Sequence, residues 1–448
     1  MRLASRQRTF LTIVLLAALL AVTGVPASAD IHEELIKLLI KKGVLTEEEY
    51  QALRRQVEES RTAEESQPAP GEEKHLPQRL RIQRPPPVAE KPAPDKEAKE
   101  AKPLFRVFGT LDNQVRWRDH RDIRDKDRGA SSNLHVRRVF VGVEVAPIDF
   151  VVGTVVLQSE YIGTSRTDQD QDASATPQID NASISLGRDD VPLYGVFGWR
   201  VQPFGAFYNH LITEPMTQDA YEVKRAGATL GSKLPFWDLD VSATVYQGET
   251  QIGRLFEANL FDASVITRTT AAGFRRERDN LRSFNLTASV TPLTEFTLGL
   301  GYLSEPGDSR RNQTGAVWGA WNFGDVLAHA EYVHALARER FWNSNSGALL
   351  DDGVEERVLT AGLAYKLLPD LTLAGRYERF WDDGLGAKAA IWSAKHRFSV
   401  GGAYTLWKGE GFTVQAGLEY RGTDIEPRGT AAIDWRNELF GRLLISYE

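Results

Sequence analysis

Between Phe105 and the C-terminus, short turns alternate with long connections, and the segments between them alternate apolar with polar residues. Few folds satisfy both rhythms. In the first segment, Phe105, Val107, Leu111, Val115 and Trp117 are apolar, whereas Arg106, Thr110, Asp112, Gln114, Arg116 and Arg118 hold the even positions. A strand points successive side chains to opposite faces, so one face of this segment suits lipid and the other suits water.

Sixteen such segments are legible. They start near Phe105, Leu134, Asp149, Ile179, Leu193, Val223, Trp237 and Leu281, then near Glu295, Thr314, Asp325, Glu355, Asp370, Lys395, Gly411 and Arg436. Short turns fall at Ala146-Pro147-Ile148, Leu234-Pro235-Phe236, Thr291-Pro292-Leu293, Phe323-Gly324, Leu368-Pro369 and Lys408-Gly409-Glu410. Long polar connections occupy 119–133, 163–178, 205–222, 248–280, 336–354 and 382–394. An even strand count with loops sorted by side predicts an all-β fold, a transmembrane antiparallel β-barrel over 105–448. A soluble all-β protein has no reason to sort its loops this way. Trp117, Tyr161, Tyr302, Tyr332, Tyr365, Tyr377, Tyr404, Trp407 and Tyr420 lie near strand ends, where interfacial girdles belong.

The region before the barrel divides into three. Residues 1–29 carry Arg2, Arg6 and Arg8, a short apolar run, and Ala27-Ser28-Ala29, the pattern of a secretory signal cleaved after Ala29. Residues 30–60 read as two short helices, the second opened by a capping box of Thr46 and Glu49. Such helices are marginal alone, which points to a periplasmic coiled-coil or oligomerising unit, or a plain hairpin. Residues 61–104 are rich in Pro, Glu and Lys and read as a disordered linker. Export of a barrel places it in the outer membrane of a Gram-negative bacterium, with lipid as its surroundings and the helical unit in the periplasm.

Strand parity assigns the inward face. It yields pore-lining candidates Arg106, Asp112, Arg116, Arg138, Glu144, Glu160, Arg200, Arg225 and Asp240, followed by Glu331, Arg376, Glu378, Arg397, Glu419 and Arg442. Charges facing hydrocarbon are costly, so these must face water or one another. A barrel of this size can hold a water-filled channel. The mixed charges imply a polar pore with a slight anion preference. The same parity predicts that Leu111→Arg impairs assembly while Asp112→Arg is tolerated. The connection 205–222 mixes Phe207, Leu211, Ile212 and Met216 with Tyr208, Asn209, His210 and Glu214. A loop in water has little use for so many apolar groups, so it is expected to fold inward as a constriction, with Tyr208, Asn209, His210 and Glu214 as its candidate residues, or else to pack on a neighbouring loop or subunit.

Other chemistry is not signalled. The chain has no cysteine, which removes disulfides, thiolate metal sites and haem attachment. His210, His329, His334 and His396 are scattered and make no catalytic motif, no P-loop is present, and no cofactor or metal is expected. A net charge of −7 argues against nucleic acid as a partner.

Two stretches carry a family resemblance. Arg137-Arg138-Val139-Phe140-Val141-Gly142-Val143-Glu144-Val145 resembles the second-strand signature of the phosphate-selective porin superfamily, and a helix pair like Leu38-Leu39-Ile40-Lys41-Lys42-Gly43-Val44-Leu45-Thr46-Glu47-Glu48-Glu49-Tyr50 commonly precedes such barrels. The run from Trp199 to Thr217, with Pro203-Phe204-Gly205 and Asn209-His210-Leu211-Ile212-Thr213-Glu214-Pro215, is similar to outer-membrane siderophore porins of the legiobactin-uptake type. Glu214 stands where those have Asp, and His210 where a smaller or apolar residue is common. The resemblance implies TonB-independent passage of small solutes, iron-siderophores or anions, through a monomeric or homotrimeric pore. Two other readings use the same chain: a barrel sleeve around an electron-transfer cytochrome, and a tether between outer membrane and cell wall.

Overall fold

A computed structural model describes residues 105–120, 129–162, 176–188, 191–268, 281–351, 354–389, 391–426 and 433–448. The chain divides into two compact units, Met1–Arg79 and Leu80–Glu448, and every described residue belongs to the second. The expected signal sequence, helix pair and linker therefore lie outside the described residues.

Sixteen strands close into one barrel. They are β1 (Phe105–Arg118), β2 (Ser131–Ile148), β3 (Val151–Ile162), β4 (Gln178–Gly187), β5 (Leu193–Val201), β6 (Lys224–Leu234), β7 (Leu239–Tyr246) and β9 (Ser283–Leu293), continuing with β10 (Phe296–Glu305), β11 (Asn312–Phe323), β12 (Val326–Ala337), β15 (Arg357–Leu368), β16 (Leu371–Trp381), β17 (Ser393–Gly409), β18 (Phe412–Glu426) and β19 (Trp435–Tyr447). Each pairs antiparallel with its sequence neighbour in the barrel, and β1 pairs with β19 to close it, Asp112 opposite Leu444. Closure removes every free edge.

The alternation sorts side chains as the sequence requires. Leu230, Val400 and Leu418 project outward and are 67%, 59% and 59% exposed, whereas Asp112 on the inner face is 4% exposed and Glu419 is fully buried. Two of the expected turns are displaced. Pro147 and Pro292 lie within the ends of β2 and β9, not in the turns. The register shifts at both places, and a bulge is where a strand tolerates a residue without an N–H.

The long connections are also less simple than expected. They hold helices α1 (Met216–Tyr221), α2 (Gln251–Glu257) and α3 (Leu385–Ala389), and a small sheet of β8 (Ile266–Thr267), β13 (Phe341–Asn343) and β14 (Leu349–Asp351). Residues read as polar loop thus contribute Ile252, Leu255, Leu260, Phe261 and Phe341 to one apolar cluster shared with Met216 and Tyr221. The reason is covering: these side chains roof the inward-folded segment and need one another to leave water.

Arg338 pins this roof to the barrel rim. It is fully buried and donates to Glu356 Oε1 at 2.9 Å, Thr314 Oγ1 at 2.9 Å and Gln251 Oε1 at 3.4 Å. Glu305 meets α2 from the other side, accepting the N–H groups of Thr250 and Gln251 at 2.8 Å each. Arg338→Ala leaves Glu356 buried without its cation, a loss of about 3–5 kcal/mol. We expect rapid proteolysis confined to the roof, with the barrel still resistant and heat-modifiable on a gel.

Candidate functional site: the segment across the barrel

After β5 the chain turns into the barrel. Gly205 permits this, because its φ of +78° suits glycine and an added Cβ would lie 2.6 Å from Glu331 Oε1. The segment then visits strands far around the wall. Glu331 on β12 accepts the N–H groups of Ala206 and Phe207 at 2.8 and 3.2 Å. Glu419 on β18 accepts those of Ile212 and Thr213, both at 2.7 Å. Glu378 on β16 accepts the N–H of Met216, at the start of α1. Strands β5, β12 and β18 sit at well-separated positions around the closed sheet, so the segment spans the interior.

Arg376 on β16 reinforces the fastening. Its guanidinium donates to Asn209 Oδ1 and Thr213 O at 3.0 Å, and to Thr213 Oγ1 and Glu214 O at 3.1 Å. Tyr208 and His210 pack on His329, with ring centroids 5.2 and 5.4 Å apart. Burial, with Arg376 adding to it, lowers the His210 pKa to about 4, so this ring is neutral near neutrality.

Glu214 reaches Arg137 at 3.0 Å and Arg138 at 3.4 Å on β2. Burial works against its ionisation, but Arg137, Arg138 and Arg254 overrule it and hold its pKa down to about 2. Parity missed Arg137. Between Asp112 and Asn113 the β2 partner steps from Arg138 to Val136, so Arg137 is the extra residue of a β-bulge. Both arginines can then face inward. The signal was present: Leu134 and Val136 set one apolar phase, and Val139 and Val141 set the other.

Asp112 is corrected by the same bulge. It lies buried 3.7 Å from Arg137, so Asp112→Arg would set like charges together where a carboxylate now separates them, and tolerance is no longer expected.

The neighbouring wall is rich in guanidinium groups. Glu438 on β19 is buried and accepts from Arg116 Nε and Nη2 at 3.1 and 2.7 Å and from Arg421 Nε at 2.8 Å, with Arg436 Nε at 3.8 Å. Three cations thus meet one carboxylate. Strand parity also turns Arg421 inward, whereas Arg436 is not among the residues it singles out. Arg397 meets Asp219 of α1 at 3.4 Å.

Other predicted residues are not brought to the segment. Glu160 pairs instead with Arg138 of the wall, at 2.7 Å. Arg106 stands opposite Glu144 near the short-turn end, and Asp240 accepts from the Tyr194 hydroxyl at 2.7 Å. Arg200 and Arg225 face each other across β5 and β6, but Arg200 turns to Thr229 instead of the segment. Arg442, on β19, stands opposite Gln114 of β1. Among the described residues no group of three or more His, Asp or Glu could hold a metal ion.

A closed sixteen-stranded antiparallel barrel with an apolar outside and a charged inside is the architecture of an outer-membrane barrel. No protein-family model and no curated protein matches the chain. Solved structures of this fold do. OprB of Pseudomonas putida, at high pH, is 10% identical with a TM-score of 0.53, over 77% of this chain and 94% of that one. The outer membrane channel DcaP of Acinetobacter baumannii is 12% identical with a TM-score of 0.51, over 76% and 96%. An anion-selective porin from Comamonas acidovorans is 10% identical with a TM-score of 0.50, over 77% and 99%. At these identities the likeness is one of fold.

Proposed function

We propose that this chain is a passive outer-membrane channel for small polar solutes, with an anion preference set by its arginine-rich wall. The observation that carries this reading is the segment 205–222, fastened across the bore and facing that wall. It narrows the bore, and it supplies Glu214 and Asp219 opposite Arg137, Arg138 and Arg397. Phosphate-bearing or carboxylate-bearing solutes suit guanidinium groups in this arrangement. The resemblance of Trp199–Thr217 to siderophore porins makes iron-siderophores the first solutes to try. A bore crossed in this way has little room for a haem protein, which speaks against the sleeve reading. Single-channel recording in planar bilayers tests the proposal: reversal potentials in a salt gradient should report anion preference, and a non-conducting inserted barrel would end it.

The channel should also respond to pH. Burial pushes the Asp219 carboxyl from its ordinary 3.8 up to about 7; Arg397 opposes this, while Glu214 and Glu378 add to it. A raised value means that the fold favours the neutral acid. The contribution to docking is complete below the ordinary value and is lost as pH rises through about 7. Over the same rise Asp219 adds negative charge beside Arg397, so anion preference should fall. Asp219→Asn should abolish this step in selectivity; an unaltered pH profile in that variant would refute the assignment.

A further inference from the structure

One basic cluster lies on the outside of the barrel, where the channel reading has no use for it. On β15, β16 and β17 the outward side chains Leu363, Leu373, Phe398 and Val400 are exposed as a lipid-facing band. Following these faces toward the long-loop end, the outward positions become Arg357, Tyr377, Arg379, Trp381 and His396. The register sets Arg357 beside Trp381 and Arg379 beside His396, so the basic groups form a row across three strands.

The height of this row matters. Leu371 starts β16 opposite Tyr404, in the short-turn girdle. Arg379 lies eight residues on, about 27 Å along the strand. With a tilt near 40° that is about 20 Å of height, in the upper part of an apolar band about 25 Å tall. A guanidinium there is costly unless it snorkels to headgroups. On barrels of this type the long loops are external, so those headgroups belong to the outer leaflet.

The cluster is built and open. The Arg379 and Arg357 guanidinium carbons lie 4.5 and 5.9 Å from the centre of the same Trp381 ring. Neither arginine has an ion pair among the described residues, and Arg357 Nε is buried without a hydrogen-bond partner. The Tyr377 hydroxyl and His396 Nδ1 are 2.8 Å apart, which fixes the imidazole. Arg357, Arg379, Trp381 and His396 line a cleft of about 410 Å³ with Lys395, which pairs with Glu426 at 3.2 Å. Asp382 and Asp383 also line it, but their carboxylates accept backbone N–H groups: Gly384 and Gly386 for the first, Glu355 for the second.

We propose that this cleft binds the phosphorylated headgroup of an outer-leaflet lipid, with Arg357 and Arg379 as its phosphate ligands. Both arginines project from the outward face of the wall at headgroup height, which selects a lipid over a free anion. Guanidinium forks held on one indole suit a phosphate dianion.

The test uses the full chain in detergent, with lipid A as probe and its dephosphorylated form as control, read by native mass spectrometry. The parent should retain lipid A and lose the dephosphorylated lipid. Arg357→Gln with Arg379→Gln should weaken retention roughly tenfold or more, the worth of a charge-assisted bond, with conductance unchanged. Arg357→Lys with Arg379→Lys should keep part of it. Should the Gln variant fail to assemble, the parent's choice between the two lipids decides alone. Equal retention of both lipids, or full retention by an assembled Gln variant, would overturn the proposal. So would displacement of lipid A by inorganic phosphate at millimolar concentration, which would make this a small-anion site.

Discussion

A chain lacking residues 208–217 should insert normally and conduct far more than the parent, with weaker discrimination between anions and cations. The deleted residues carry the N–H groups held by Glu419 and Glu378 and the Asn209 and Thr213 groups held by Arg376. Deletion can also disturb the roof, since Met216 belongs to its apolar cluster. A milder variant separates the two effects. Glu331→Gln, Glu378→Gln and Glu419→Gln together keep the shape of each side chain and remove its charge. Hydrogen bonds to a charged group contribute about 1.5–3 kcal/mol each, so the triple variant should release the segment for much of the time. Its recordings should flicker between parental and deletion levels. Parental conductance in both variants would show that the segment does not limit flow.

Leu111→Arg should abolish or sharply reduce assembly. Leu111 projects outward from the middle of β1, between Val139 and Ile445 on its neighbours. A charge on the lipid face near the bilayer midplane costs about 2–4 kcal/mol, and the flanking apolar residues offer it no partner. Leu111→Phe keeps the face apolar and should assemble as the parent does. Heat-modifiable migration of the outer-membrane fraction reads both. An Arg variant that assembles fully would reverse the inside and outside of this wall.

The barrel was legible because its two determinants are local. Alternation is written residue by residue, and turn length is written in the spacing. The strand starts inferred near Leu134, Thr314 and Lys395 fall at Ser131, Asn312 and Ser393. What the sequence hid depends on contacts between distant residues. The outward or inward choice at Arg137 depends on a bulge, which changes one count in one strand. Glu331 and Glu419 could be placed on the inner face, but not beside Ala206 or Thr213, more than a hundred residues away in the chain. The apolar residues between Ile252 and Phe261 were hidden because α2, Gln251–Glu257, is too short for its helical spacing to stand out. The tight inward turn at Gly205 was visible only as part of a family-like motif.

The way the inner segment is fastened has an evolutionary consequence. Glu378 grips a main-chain amide, and Glu331 and Glu419 each add one hydroxyl, of Thr217 and Thr213, to the two amides they hold. An amide is present whatever the side chain, proline excepted. Selection could therefore rewrite Tyr208 or His210 to suit a new solute while the mooring stays intact. The barrel wall behaves as a fixed socket, and the segment as an exchangeable insert whose lettering can drift.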